Sequence, residues 1–154
     1  MRIAVCGELG AGCTEVGQAL SERLGLRCVN SAEIIKGIVS DFKETFSVFE
    51  SHVRSGEVDL DKMIDGEIDR LLEMGDAIVE GRAGFMLLDD DRVFKVLLVA
   101  PEARRAEHIA KRRDIAFEEA KEAIRVSDSE RRHMVERLFK KEWLDPHNYD
   151  IVIN

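Results

Sequence analysis

The chain has 154 residues, 45% hydrophobic and 35% charged, enough for one domain with a sizeable core and too apolar for a disordered segment. A net charge of −8 argues against a nucleic acid polymer as the main partner, because backbone binding rests on accumulated positive charge. No apolar run approaches the about 20 residues that span a bilayer, so no membrane partner is expected.

The first predicted element is a strand at Ile3–Cys6, with no basic region or cleavage site ahead of it, which leads us to expect a cytoplasmic protein. Gly7-Glu-Leu-Gly10-Ala11-Gly12-Cys13-Thr14 follows directly and opens a helix whose Val16, Ala19, Leu20 and Leu24 share one face. The spacing fits G-x-x-x-x-G-x-[ST], a loop whose glycines let successive N–H groups converge on one anion at a helix N-terminus. Gly7, Gly10, Ala11, Gly12, Cys13 and Thr14 are therefore the nucleotide-binding candidates, and the Thr14 hydroxyl is the candidate for Mg²⁺. Cys13 stands where that motif usually carries lysine. Two rivals remain: a dinucleotide-binding turn, whose order is G-x-G-x-x-G where this chain has G-x-x-G-x-G, and a glycine-rich turn serving packing alone.

A second strand is predicted at Cys28–Val29, ending in Asn30 where a dinucleotide site would want an acidic residue. Two helical stripes follow, Phe42–Phe46–Phe49–Val53 and Leu60–Ile64–Ile68–Leu71–Leu72. The phenylalanine stripe suits packing, or the wall of a base pocket. Further strands are predicted at Ala77–Glu80, Phe94–Ala100 and Ile151–Ile153, and further helices around Ala106–Ile109–Ala110, Phe117–Ala120–Ile124 and Met134–Leu138. The first, third and fourth strands are apolar almost throughout, as in a parallel sheet covered on both faces. Strands alternating with helices predict an α/β fold built from right-handed βαβ units. Cys6, Cys13 and Cys28 form no CxxC pair, and the four histidines show no metal-ligand spacing. Acidic side chains crowd Asp41 to Asp91 and basic ones Arg104 to Lys141, a pattern suited to a small phosphate ligand.

Several segments, in order, resemble the cytidylate-kinase-like family of small P-loop kinases: Gly7-x-x-Gly10-Ala-Gly12-x-x-Glu15-Val16-Gly17, Asn30-Ser-Ala-Glu33-Ile34, Ile78-Val-Glu80-Gly81-Arg82, Val99-Ala-Pro101-x-x-x-Arg105, Arg125-x-x-Asp128-x-x-Arg131 and Asp145-Pro146-x-x-Tyr149-Asp150-Ile-Val-Ile-Asn154. The similarity covers nearly the whole chain. It implies one domain over 1–154, a three-layer P-loop fold with five parallel strands in the order 2-3-1-4-5, an acceptor-binding helical segment near 31–75 and a small helical lid near 112–132. It also implies transfer of the γ-phosphoryl of ATP, with Mg²⁺, to a nucleoside monophosphate, CMP or dCMP first. His108 and Ser127 stand where the family commonly has basic residues. Another nucleotide or small metabolite as acceptor is the runner-up, and Cys13 keeps open a nucleotide-binding regulator that does not turn over.

Phosphoryl transfer needs positioning and positive charge, so with no loop lysine the arginines carry the hypothesis. Arg82, beyond Gly81 at a buried strand's end, is expected to grip the acceptor's phosphate as a fork. Arg105, Arg112, Arg113, Arg125, Arg131 and Arg132 are candidates for the donor side, or else members of a solvated face paired with Glu118, Glu119 and Glu122. Glu80 is expected to organise Mg²⁺ through water or to pair with Arg82, and Asp128 to hold the lid arginines. Ser31 and Glu33 read as a helix cap and its first-turn carboxylate.

Overall fold

The computed structural model describes residues 1–41, 51, 52, 54–56, 59–73 and 75–154. The Phe42–Phe46–Phe49–Val53 stripe lies outside the described residues. The elements are β1 (Arg2–Gly7), α1 (Cys13–Leu24), β2 (Arg27–Asn30), α2 (Ser31–Asp41), α3 (Leu60–Glu73), β3 (Ala77–Glu80), a 3-10 segment (Gly81–Leu87), β4 (Phe94–Leu98), α4 (Glu102–Arg113), α5 (Phe117–Phe139), a 3-10 turn (Pro146–Asn148) and β5 (Ile151–Ile153). All strand pairs are parallel, in the order β2-β3-β1-β4-β5, as the family resemblance implied.

Alternation of side chains across the sheet sorts the core into two faces. Ala4, Cys6, Val29, Val79 and Leu97 point to one side, where Ile34 and Ile38 of α2, Ile68, Leu71 and Leu72 of α3, and Val135 and Trp143 cover them. Ile3, Val5, Ile78, Val96 and Leu98 point to the other, against Val16 and Leu20 of α1. The central strands are thus largely apolar because both faces are covered, with Glu80 and Lys95 the charged residues buried in them. The edge strands are not: Arg27 and Asn30 of β2 and all of β5 are exposed. A third cluster of Leu9, Ala106, Ile109, Ala120 and Ile124 joins α4 to α5 beside the loop after β1.

Three local outcomes differ from the expectations. The fourth strand stops at Leu98, two residues early: the N–H of Val99 still donates to the carbonyl of Ile153 at 2.9 Å, but that of Ala100 turns to Glu8, and the chain leads into Pro101 at the N-cap of α4. The helical patterns after Phe117 belong to one helix of 23 residues, since no glycine or proline interrupts 117–139. The cap of α2 is Asn30, whose Oδ1 accepts from the N–H of Glu33 at 2.9 Å; the Ser31 hydroxyl accepts from the N–H of Ala83 at 3.2 Å instead. That bond ties the start of α2 to the 3-10 segment, where Gly81 turns the chain with a φ of 76°.

Gly17 marks a close contact between α1 and the sheet. A Cβ there would sit 3.1 Å from Cβ of Glu80 and 3.2 Å from Sγ of Cys28, so α1 lies against β2 and β3.

Candidate functional site

The carboxyl ends of β1, β2 and β3 open onto a cleft of about 610 Å³, at the sheet edge where ligands of open α/β folds bind. Gly10, Gly12, Cys13 and Thr14 form its floor, Asn30, Ser31 and Ile35 one wall, and Glu80, Arg82, Arg112 and Arg131 also border it.

The floor is shaped by backbone. Gly10 and Gly12 have φ of 86° and 98°, the left-handed region that glycine enters without strain. Gly12 caps α1 without a side chain, leaving the first-turn N–H groups of the helix without intrahelical acceptors. Gly7, at the end of β1, packs so closely that a Cβ would meet the carbonyl of Leu98 at 2.6 Å. Ala11 donates to the carbonyl of Glu8 at 3.0 Å and rests on the core beneath the loop, so both residues shape the cradle from behind it.

A buried ionic network holds this loop. Arg105 of α4 is 6% exposed and donates through Nη1 to Asp128 of α5 (2.6 Å) and to the carbonyl of Leu9 (3.2 Å), with Glu8 at 3.2 Å from Nη2. Asp128 also accepts from the N–H of Leu9 at 3.0 Å, and Glu8 from that of Ala100 at 3.2 Å. Asp128 therefore anchors the loop and Arg105 directly, and acts on the cleft arginine Arg131 through its charge. His108 adds a strut, its Nδ1 3.0 Å from the carbonyl of Gly10 and its Nε2 3.0 Å from Glu15. Arg105, a phosphate candidate, is held in this network; the partners of Glu8 and His108 carry no local signature in the sequence, because each contact joins positions about a hundred residues apart.

Glu80, 7% exposed at the end of β3, lies with its two oxygens 3.4 and 3.3 Å from the Thr14 hydroxyl, which donates to them. Burial pushes its carboxyl above the usual range, against the Thr14 hydrogen bond and the charges of Arg112 and Arg131, which pull it down. Glu80 does not pair with Arg82, which reaches Glu130 of α5 at 2.5 Å. Among the described residues no group of three or more His, Cys, Asp or Glu could hold a metal ion. Thr14 and Glu80 nonetheless fit Mg²⁺, a hard cation held by few protein oxygens and completed by water and phosphate.

The candidate arginines separate. Arg82, Arg112 and Arg131 border the cleft, as does Arg113. Arg125 does not: it is exposed and grips Glu122 through Nε at 2.8 Å and Nη2 at 2.5 Å, one turn away on α5. The surface pairing foreseen with Glu122 is the arrangement it adopts. Beside Ser31, Ile35 and Arg82 an apolar recess of about 130 Å³ extends the cleft, lined also by Ile34, Ile64, Ala83, Met86 and Met134. Among the described residues no helix is long and apolar enough to cross a membrane.

The sequence model of the cytidylate kinase-like family matches residues 2–154. A cytidylate kinase of Methanothermobacter thermautotrophicus is 32% identical over 155 residues, which is 100% of this chain and 94% of that one. Of solved structures, an uncharacterized protein from Eubacterium ventriosum superposes with a TM-score of 0.76 at 17% identity, over 99% of this chain and 87% of its own. Shikimate kinase from Acinetobacter baumannii in complex with shikimate follows with a TM-score of 0.58 at 18% identity, over 99% and 82%. At these identities the two structures speak for the fold alone.

Proposed function

The chain belongs to the cytidylate kinase-like family, and from that premise we propose that it transfers the γ-phosphoryl of ATP to a nucleoside monophosphate, with CMP or dCMP as the acceptor. The observation that carries the reading is one cleft in which an amide-lined loop, the Thr14–Glu80 pair and Arg82, Arg112 and Arg131 meet. The loop's N–H groups hold the donor's phosphates, and the Arg105–Asp128–Glu8 network keeps them in register. Thr14 and Glu80 would hold Mg²⁺, which would supply positive charge against the phosphates during transfer. Arg82 takes the acceptor's phosphate as a fork, and the apolar recess beside it takes the base. Residues 31–75 form the acceptor side; residues 112–132, spanning the end of α4 and much of α5, serve as the lid that excludes water. A cytoplasmic setting suits the three unpaired thiols.

Cys13 favours a second reading, a nucleotide-binding regulator, because burial pushes its thiol up to about 12 and leaves the loop uncharged there. A coupled assay with ATP, Mg²⁺ and a panel of nucleoside monophosphates separates the two. Turnover with CMP or dCMP is expected, turnover with another acceptor alone revises the substrate, and binding without turnover favours the regulator. Arg82→Ala should lower kcat/KM by about tenfold or more with the fold intact, the worth of a charge-assisted contact. Unchanged kinetics would remove Arg82 from the site.

A further inference from the structure

The loop has no cation of its own, and although Cys13 lines the cleft its thiol packs back against the sheet. A Cβ on Gly7 would lie 2.7 Å from Sγ of Cys13, and that thiol packs against the cluster of Ile3, Val5, Ile78, Val96 and Leu98. The space before the loop is left to another side chain. Arg131 of α5 borders the same cleft and is 8% exposed. Its Nη1 donates to the carbonyl of Ser127 at 3.1 Å and to the Ser127 hydroxyl, both neutral, while its Nε is buried with no hydrogen-bond partner. The neighbouring carboxylates take their hydrogen bonds elsewhere: Asp128 from Arg105 and the N–H of Leu9, Glu130 from Arg82, and Glu80 from the Thr14 hydroxyl. Burial, and then the nearby charge of Arg82, lower its proton affinity. Among the described residues no carboxylate lies within ion-pair distance of Arg131, although the charges of Asp128 and Glu130 act on it from farther away; a buried guanidinium held only by neutral groups is costly unless a ligand supplies the anion.

We propose that Arg131 is the missing cation of the phosphate loop: delivered from α5, it stands in for the lysine absent at Cys13 and takes the donor's terminal phosphates as its counter-ion. The proposal rests on reading the cleft as a nucleotide site. An arginine suits the task because its planar fork binds two phosphate oxygens at once. Its placement is built in, since Asp128, three residues earlier on α5, is hydrogen-bonded to the loop at Leu9. The small thiol at position 13 is then the complement of Arg131, because a lysine there would direct a second positive charge toward the same phosphates.

Calorimetric titration of the wild type, Arg131→Met, Cys13→Lys and the double variant with Mg·ATP, and separately with inorganic tripolyphosphate, tests this. Arg131→Met should weaken both probes by about tenfold to a hundredfold, the worth of charge-assisted hydrogen bonds. The melting temperature of the free protein should stay level or rise, since a buried charge without a partner has gone. Cys13→Lys alone should not tighten binding, whereas in the Arg131→Met background it should recover most of the loss. Wild-type affinity in Arg131→Met, a lower melting temperature of that variant without ligand, or an equal gain from Cys13→Lys in both backgrounds overturns the proposal and leaves the kinase reading standing. Uptake of neither probe by the wild type overturns both.

Discussion

Glu80 shows how a functional group opposes stability. Its carboxyl is buried at the end of β3 with the Thr14 hydroxyl as hydrogen-bond donor, and burial raises its pKa. The folded protein then binds this proton more tightly than the unfolded chain does, so stability is lost as pH rises from the unfolded value of about 4.3 through the folded one. Glu80→Gln should therefore raise the melting temperature at neutral pH, and the gain should vanish below pH about 4. The same variant should lose Mg²⁺-dependent turnover. A thermal scan from pH 4 to 8 beside a magnesium titration checks both; a variant less stable at neutral pH would contradict the burial argument. Arg125 carries the opposite lesson: exposed and bound to Glu122, it should be replaceable by alanine with kinetics and stability nearly unchanged, as surface pairs contribute little.

The loop between β1 and α1 depends on elements distant in sequence. Asp128 of α5 shares its oxygens between Arg105 of α4 and the N–H of Leu9. Asp128→Ala should cost about 3 kcal/mol in urea unfolding, because a buried guanidinium loses its closest anion. Gly10 faces the same network from the other side. A Cβ there would lie 2.8 Å from the carbonyl of Arg105 and the φ is 86°, so Gly10→Ala should destabilise the fold and blunt nucleotide binding together. The loop itself was legible in the sequence, because its glycines stand between an unbroken apolar strand and an amphipathic helix. Its supports were not, since Glu8, Arg105 and Asp128 meet only once α4 and α5 have packed. Ser31 reads as a cap because a helical stretch follows it; Asn30, one residue earlier, fills that place by local geometry that composition does not rank. The single long α5 escaped because its apolar contacts lapse around Arg125 and Val126, where the helix faces solvent.

At the scale of the molecule, order and sense of the strands followed from the family resemblance, while burial separates the three central strands from their exposed neighbours. In the core Trp143, 1% exposed, lies against Phe85 with ring centroids 5.9 Å apart. As the chain's one tryptophan, Trp143 should report unfolding as a single fluorescence transition, and Phe85→Ala should lower stability by about 3–5 kcal/mol on that probe. The layered architecture also fixes a dimension that no cleft residue controls. Where α1 presses on β3, Gly17 offers only hydrogen to Glu80, and one turn away the same helix carries Thr14. The bite that a divalent ion would find between hydroxyl and carboxylate is thus calibrated from the rear of the helix, and a single methyl inserted there acts as a wedge. Gly17→Ala should blunt magnesium's contribution to ATP uptake while sparing the metal-free component, although position 17 never meets the ligand.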